Sequence, residues 1–273
     1  MLHFTQTLGQ FRHCKSVLSL TFACLLLVAP AALAIKYEPT HPSAPKGDTT
    51  ITGVRGGCDA KAKVDLAALA PIGHIGQTIS THPTIAWFIP DSAPHPLILR
   101  LYRYGANQQW QKVGNEIPLQ KSTSGIMQST LPQELEVGQV YAWQVVVDCV
   151  PGYPSARLVA EAQIQVVNAP ADFKTKLANA HNALARAELY ASADLWYDAL
   201  AETLNDGQNL QKQKIQRSLL SNVAETDRSV LKNLEKVHKN CKPDPSIHEE
   251  KVCKQIRVIR QQIDSLTQIA ATK

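Results

Sequence analysis

The hydrophobic period of this chain changes once, and that change limits what it can build. Between residues 49 and 168 apolar residues alternate with polar ones or gather in short β-branched and aromatic runs. From 171 to 273 they recur every three or four positions. A period of two belongs to a strand with one buried face, and a period near 3.6 to a helix with one buried stripe. The expected class is α+β: an antiparallel β-sandwich of the fibronectin or immunoglobulin kind, then a C-terminal helical domain.

Within the first region, Thr84 to Ile89 is an aromatic and β-branched run between Pro83 and Pro90. Leu97 to Tyr104 alternates, with Leu97, Leu99 and Leu101 on one side. Val140 to Val147 is the strongest strand, and Leu158 to Val167 follows a Pro151-Gly152 turn. Ile117 to Leu119 and Gly125 to Leu131 are shorter candidates. No helical pattern intervenes, which favours hairpin-connected strands.

In the second region, Asn179 to Asn205 reads as a helix, a short turn and a second helix, resembling a single tetratricopeptide unit with no second copy. No aromatic residue follows Tyr197, so the remainder packs through aliphatics. Leu220, Val223, Val230, Leu234, Val237 and Cys241 recur at helical spacing, as do Val252, Ile256, Ile259, Ile263 and Leu266. Pro243 and Pro245 separate the two runs, and Ser246 with Glu249 forms a capping box. The expectation is an antiparallel helical hairpin in which Ile256, Ile259, Ile263 and Leu266 face Val230, Leu234 and Val237. Two helices alone make a thin core, so a third contact is required, from the preceding helices or another chain.

Residues 1–34 read as a signal peptide: Arg12 and Lys15, an apolar stretch from Val17 to Val28, then Ala32-Leu33-Ala34. The apolar stretch is too short to span a bilayer, and no later run has spanning length. Cleavage after Ala34 makes Ile35 the mature start and places the protein in the periplasm or outside the cell. Lipidation at Cys24 fits poorly, because Thr21 and Phe22 occupy the positions that a lipidation box reserves for aliphatic and small residues. Pro39, Pro42 and Pro45 make residues 35–48 an extended leader.

Four cysteines remain after Ala34: Cys58, Cys149, Cys241 and Cys253. An even number in an exported chain reads as two disulfides. The pairing Cys58–Cys149 and Cys241–Cys253 keeps each bridge within one region. His238, Cys241, His248 and Cys253 also have zinc-ligand chemistry, but their spacing does not follow that of a zinc finger. No metal or cofactor is expected. Residues 35–170 balance ten basic against ten acidic residues, and 171–273 carry sixteen against thirteen. The excess is dispersed, unlike the concentrated basic face of a nucleic-acid binder.

Asp194, Asp198 and Glu202 lie four apart and are expected on one helix face. Beside Trp196 and Tyr197 they form a candidate partner-binding site, with a solvated acidic face opposite a packed aromatic stripe as the competing reading. His74, His82 and His95 are scattered. No nucleophile elbow, metal-protease helix or phosphate loop is present in the sequence, so no catalytic residue is assigned. Arg55-Gly56-Gly57-Cys58-Asp59 reads as a tight turn presenting Cys58.

Four ordered motifs carry a family resemblance: Arg55-Gly56-Gly57-Cys58; Thr78-Ile79-Ser80-Thr81-His82-Pro83-Thr84; Leu135-Glu136-Val137-Gly138 with Tyr141, Trp143 and Cys149; and Leu189-Tyr190-Ala191 with Trp196-Tyr197-Asp198-Ala199-Leu200. Through them residues 50–205 resemble a cyanobacterial family of exported proteins known as domain of unknown function 928. The resemblance implies export and a cyanobacterial source, and no particular activity. The closing hairpin, 207–273, lies outside the resemblance. The expected function is a non-enzymatic binding module of the periplasm or cell surface, whose partner is a protein or envelope component. The alternatives are a structural envelope protein that self-assembles through the hairpin, and a hydrolase with a cleft between its domains.

Overall fold

The computed structural model describes residues 35–40, 42–47, 57–59, 62–204, 209–239, 241 and 251–272. The signal-peptide reading, the Arg55-Gly56 pair, the proline bend at 242–246, His248 and the Ser246–Glu249 capping box lie outside the described residues.

The Val-rich run expected as the strongest strand becomes β8 (Val140–Asp148), and it occupies the centre of the larger sheet. Its residues are buried on both faces, which is why its sequence is nearly continuous in apolar character rather than alternating. It pairs antiparallel with β4 (Leu97–Tyr104), where Leu99 meets Val145, and with β9 (Arg157–Val166), where Val145 meets Ala160. β5 (Trp110–Lys112) and β6 (Ile117–Leu119) both pair with β4, and β2 (Gly76–Thr78) closes the other edge against β9. A three-stranded sheet holds β1 (Ala67–Ala68), β3 (Thr84–Ile89) and β7 (Gly125–Thr130) in the order β1-β3-β7.

One element departs from the expected antiparallel arrangement. β2 runs parallel to β9, with Gly76 opposite Ile164 and Thr78 opposite Val166, so the larger sheet is mixed. Parallel neighbours cannot be joined by a tight hairpin. Here the whole of β3 to β8 intervenes between them.

The helices are α1 (Phe173–Ala178), α2 (Ala183–Ser192), α3 (Trp196–Ala201), α4 (Leu210–Val237) and α5 (Lys251–Ala271). Asn182 caps α2 by accepting the Ala185 N–H, and Asn209 caps α4 by accepting those of Gln211 and Lys212. α4 and α5 form the expected hairpin, with Arg260 paired to Glu235 and a disulfide joining Cys241, beyond the end of α4, to Cys253 in α5. Ile256, Ile259, Ile263 and Leu266 are buried as expected. The opposing stripe is shifted: α4 buries Ile215, Leu219, Leu220, Val223, Ala224, Asp227 and Leu231. Val230 and Leu234 pack at its margin, while Val237 is 75% exposed and takes no part in the facing pair.

The third contact that the hairpin needs comes from the β region of the same chain. Asp227 of α4 accepts the backbone N–H groups of Ile72 and Gly73. Gln262 of α5 donates to the carbonyls of Ala68 and Ala70, and Gln261 to Asp65. These bonds satisfy backbone groups of a segment with little ladder pairing of its own. One continuous core therefore runs from Trp87 and Trp143 through Trp196 and Tyr197 to Leu219 and Leu266. The described residues fall in one compact unit. Among the described residues no helix is long and apolar enough to cross a membrane.

The Cys241–Cys253 bridge closes a separation of 12 residues. In the chain-entropy account such a loop is worth about 3 kcal/mol. The double variant Cys241→Ser, Cys253→Ser is expected to keep both sheets and to loosen the hairpin. Amide exchange should accelerate in the last turns of α4 and the first of α5, with protection of β8 and β9 unchanged.

Candidate functional site

The acidic row singled out in the sequence does not share a helix face. Asp194 precedes α3 in a left-handed turn, φ 64°, and only Asp198 lies inside that helix. Each carboxylate has separate partners. Asp194 accepts the backbone N–H and the hydroxyl of Thr40 at 3.1 and 3.0 Å. Asp198 accepts the Ile79 N–H at 3.1 Å, and Glu202 pairs with Arg186 at 2.8 Å. The neighbouring aromatics are equally engaged. Trp196 donates to the Leu69 carbonyl at 3.1 Å, and Tyr197 donates to the Gln163 carbonyl at 3.0 Å while accepting from Trp143 at 2.9 Å. Trp196 is 0% and Tyr197 1% exposed, so the expected partner surface beside the acidic row is corrected: those rings are core. Burial pushes the Tyr197 phenol well above its ordinary value. Burial also raises the Asp198 carboxyl from 3.8 to about 6, against the opposing pull of its bonds with Thr78 and Ile79.

A second cluster escaped the sequence reading because its members lie on three distant segments. Tyr37 of the leader bonds through its hydroxyl to His74 Nε2 at 2.9 Å, and His74 Nδ1 faces Asp227 at 3.7 Å. The order Tyr–His–Asp has the form of a proton relay. Its three side chains are nevertheless sealed, and Tyr37 stacks on His74 and meets the edge of Trp196. Burial, with the Asp194 and Asp227 carboxylates, drives the Tyr37 phenol well up. What the cluster does on this geometry is fasten the leader. The same segment is held by Ser218 on the Ile35 carbonyl, Asn222 on the Tyr37 N–H, Ser43 accepting from Ile75, and Gln163 bonding both backbone groups of Lys46.

The third cluster sits at one end of the larger sheet, where the loop after β3, the turn at Cys58 and the β8–β9 connection meet. The Cys58–Cys149 disulfide joins two of these segments across a separation of 91 residues. Asp91 accepts the N–H groups of Cys58 and Asp59 at 2.9 and 3.3 Å. Gly57 is required there, since any Cβ would run into the Asp91 carboxylate. His95 is locked by reciprocal bonds with Ser122, its N–H donating to the hydroxyl at 2.7 Å and its carbonyl accepting the Ser122 N–H at 2.8 Å. One ligand atom from each of Cys58, Asp91 and His95 lies within 4.8 Å of the other two.

Beyond Cys149 the chain turns at Val150-Pro151-Gly152-Tyr153. Tyr153 N–H bonds to the Val150 carbonyl at 3.0 Å, and Gly152 has φ 87°. Pro second and a positive-φ glycine third make this a type II turn, the conformation those residues favour. A 3-10 turn, Pro154–Ala156, leads back into β9, and Arg157 meets Asp148 across the base. At the tip Val150 is 46% and Tyr153 64% exposed.

Residues 50–230 match the family described as Domain of Unknown Function (DUF928), and the chain belongs to that family. The match extends beyond the four sequence motifs into α4. No curated protein matches the sequence. Among solved structures there is a slight likeness to astrotactin-2, titled a vertebrate-specific, perforin-like membrane protein involved in neuronal development. Identity is 10%, the TM-score is 0.27, and the likeness covers 76% of this chain and 37% of that one.

Two substitutions test these assignments. The raised Asp198 pKa means that the folded state resists ionising this group. Its stabilising effect is complete below the unfolded value near 4 and is lost as pH rises through about 6. Asp198→Asn should flatten the decline of stability between pH 4 and 6, by roughly 3 kcal/mol at most, in urea titrations run across that range. Tyr37→Phe removes one buried hydrogen bond and leaves His74 Nε2 without its partner. A loss of about 1–3 kcal/mol is expected, with faster proteolysis at the leader.

Proposed function

We propose that this member of the DUF928 family is an exported, non-enzymatic binding module that grips a protein or envelope component through the tip of its β8–β9 hairpin. The observation that carries this reading is the combination of exposure and rigidity at Val150 and Tyr153. A type II turn, a disulfide at one root and the Asp148–Arg157 pair at the base hold two apolar side chains in solvent. A tyrosine offers a large contact area with few rotatable bonds, and a pre-ordered loop loses little entropy when it docks.

Export is supported by the two disulfides, which persist in oxidising compartments. We read the β unit as a sandwich of the fibronectin or immunoglobulin kind, altered at its edge by the parallel β2. Such sandwiches present their connecting loops in clusters at the ends of the sheets. The family resemblance further suggests a cyanobacterial source.

The test places a photo-crosslinking residue at position 153 or, as control, at the exposed position 239, in cells exporting the chain. Crosslinks to an envelope protein should form at 153 and not at 239. The variant Val150→Ser, Tyr153→Ser should weaken capture of that protein by roughly thirtyfold, the scale of an interface hot spot, with an unchanged thermal midpoint. N-terminal sequencing of the exported chain should begin at Ile35. Crosslinks at 153 to a second copy of the chain would favour the self-assembling envelope protein, and equal capture by the variant would remove the tip from the argument.

A further inference from the structure

The Cys58–Cys149 bridge is surrounded by more ligand chemistry than a structural disulfide needs. Cys58 and Cys149 are only partly buried, so a reductant can approach the sulfur pair. Asp91 is 5% exposed and stands over the Cys58 backbone, with a spare lone pair on each carboxylate oxygen. His95 Nε2 is buried, and among the described residues it has no hydrogen-bond partner. A buried imidazole nitrogen without a partner is costly unless something else occupies its lone pair or its proton. Ser122 fixes the backbone on which that ring is carried. The Cys149 sulfur is bonded to that of Cys58 and so belongs to the same cluster. Reduction therefore yields two thiols, one carboxylate and one imidazole in a single place.

We propose that this end of the sheet is a redox-gated metal site. When the bridge is reduced, Cys58, Cys149, Asp91 and His95 bind a divalent ion of the zinc class; when it is oxidised they do not. Two thiolates, one nitrogen and one oxygen suit a tetrahedral, borderline-soft ion better than a hard one such as magnesium. In such a site neighbouring ligand atoms stand about 3.3–3.8 Å apart, as bond lengths near 2.0–2.3 Å dictate. The present cluster, within 4.8 Å, needs a small contraction, and the sulfurs need to separate from their bonded distance.

The chemistry balances in two steps. A dithiol reductant of the thioredoxin-like class gives two electrons and two protons. The S–S bond breaks, two thiols form, and the reductant leaves as its own disulfide. The metal ion then displaces both thiol protons to solvent, forming two metal–sulfur bonds, and accepts lone pairs from Asp91 and His95. In the reverse direction a disulfide of the same exchange class takes up the two electrons and two protons from solvent and leaves as its dithiol, while both metal–sulfur bonds break, the S–S bond re-forms and the ion is released. Nothing in the chemistry of this site rests on the proposed binding function, and it does not involve the His238, Cys241, His248 and Cys253 set.

The test uses the full mature chain carrying Cys241→Ser and Cys253→Ser, so that one disulfide remains, reduced with a phosphine that does not compete for metal. Cobalt(II) titration should give one equivalent bound, with the visible bands of a tetrahedral ion and near-ultraviolet thiolate charge transfer, displaced by zinc(II). The oxidised chain should give neither. His95→Ala should weaken binding roughly tenfold or more, given that even outer-shell changes cost that much. X-ray absorption at the zinc edge should count two sulfur and two lighter ligands in the unmutated site, a reading independent of how the variant folds. Absence of the bands in the reduced chain, loss of its sheet signal on reduction, equal uptake by the oxidised chain, or an edge spectrum without sulfur would each overturn the proposal.

Discussion

The Tyr197 hydroxyl is the point on which the two halves of the fold depend. It accepts from the Trp143 indole and donates to the Gln163 carbonyl, so one atom ties α3 to the central strand and to its neighbour. Both rings lie at or below 1% exposure, where an unpaired hydroxyl or indole N–H would carry its full desolvation cost. The bond dictates the sequence of a third strand. The Tyr197 ring passes so close to β2 that a Cβ at Gly76 would come within 2.7 Å of it. Glycine weakens a strand interior, yet at this edge no other residue lets the ring through. Sheet edge, helix and central strand are thus fixed by one contact.

The leader completes what that contact begins. Its described residues, 35–40 and 42–47, have no regular structure, as its prolines require. Its backbone groups are nonetheless taken up by side chains of β9, α4 and the turn before α3. Tyr37, His74 and Asp227 close this strap from within. Asp227 also accepts two backbone N–H groups, so the carboxylate at the centre of α4 serves helix, loop and leader together. A segment with no ladder of its own becomes ordered because its polar groups find partners on elements that are already rigid.

Five strands and the hairpin were legible in the sequence because each is long enough to show its apolar pattern, and β6, three residues long, through its Ile117 and Leu119 pair. Leu97–Tyr104 alternates over eight residues, and the Val140 run has the apolar density of a strand covered on both faces. β1, β2 and β5 are two or three residues long, too short for any period. Both disulfides follow from regional pairing. The acidic row failed for a local reason. Spacing of four implies one face only within one helix, and the left-handed turn at Asp194 starts α3 after the first member of the row. Val237 failed for a similar one, since the buried stripe of α4 drifts through Asp227, a residue that hydrophobic periodicity counts as surface. His95 and Asp91 stand only four apart, but nothing in their spacing announces Cys58, which folding brings from 33 residues upstream of Asp91.

The two proposals meet at Cys149. The hairpin tip hangs from this residue on one side and from the Asp148–Arg157 pair on the other. In the oxidised chain the first root is a covalent bond to Cys58. With the bridge reduced and metal bound, the same root is a metal–thiolate bond to a centre that still holds Cys58, so the posture of Val150 and Tyr153 is retained. With the bridge reduced and no metal, the tie to Cys58 is lost, and the turn bond from Tyr153 to Val150, the Asp148–Arg157 pair and the Asp148 bond to the Pro96 carbonyl are left to hold the tip. A partly exposed ion pair at 3.4 Å contributes little by itself. Losing the bridge also lowers the stability of the whole fold by about 4–5 kcal/mol in the chain-entropy account, because the unfolded chain regains the freedom of a loop of 91 residues. Rigidity of the tip, and with it the low entropic cost of docking, then follows the presence of either bridge or metal.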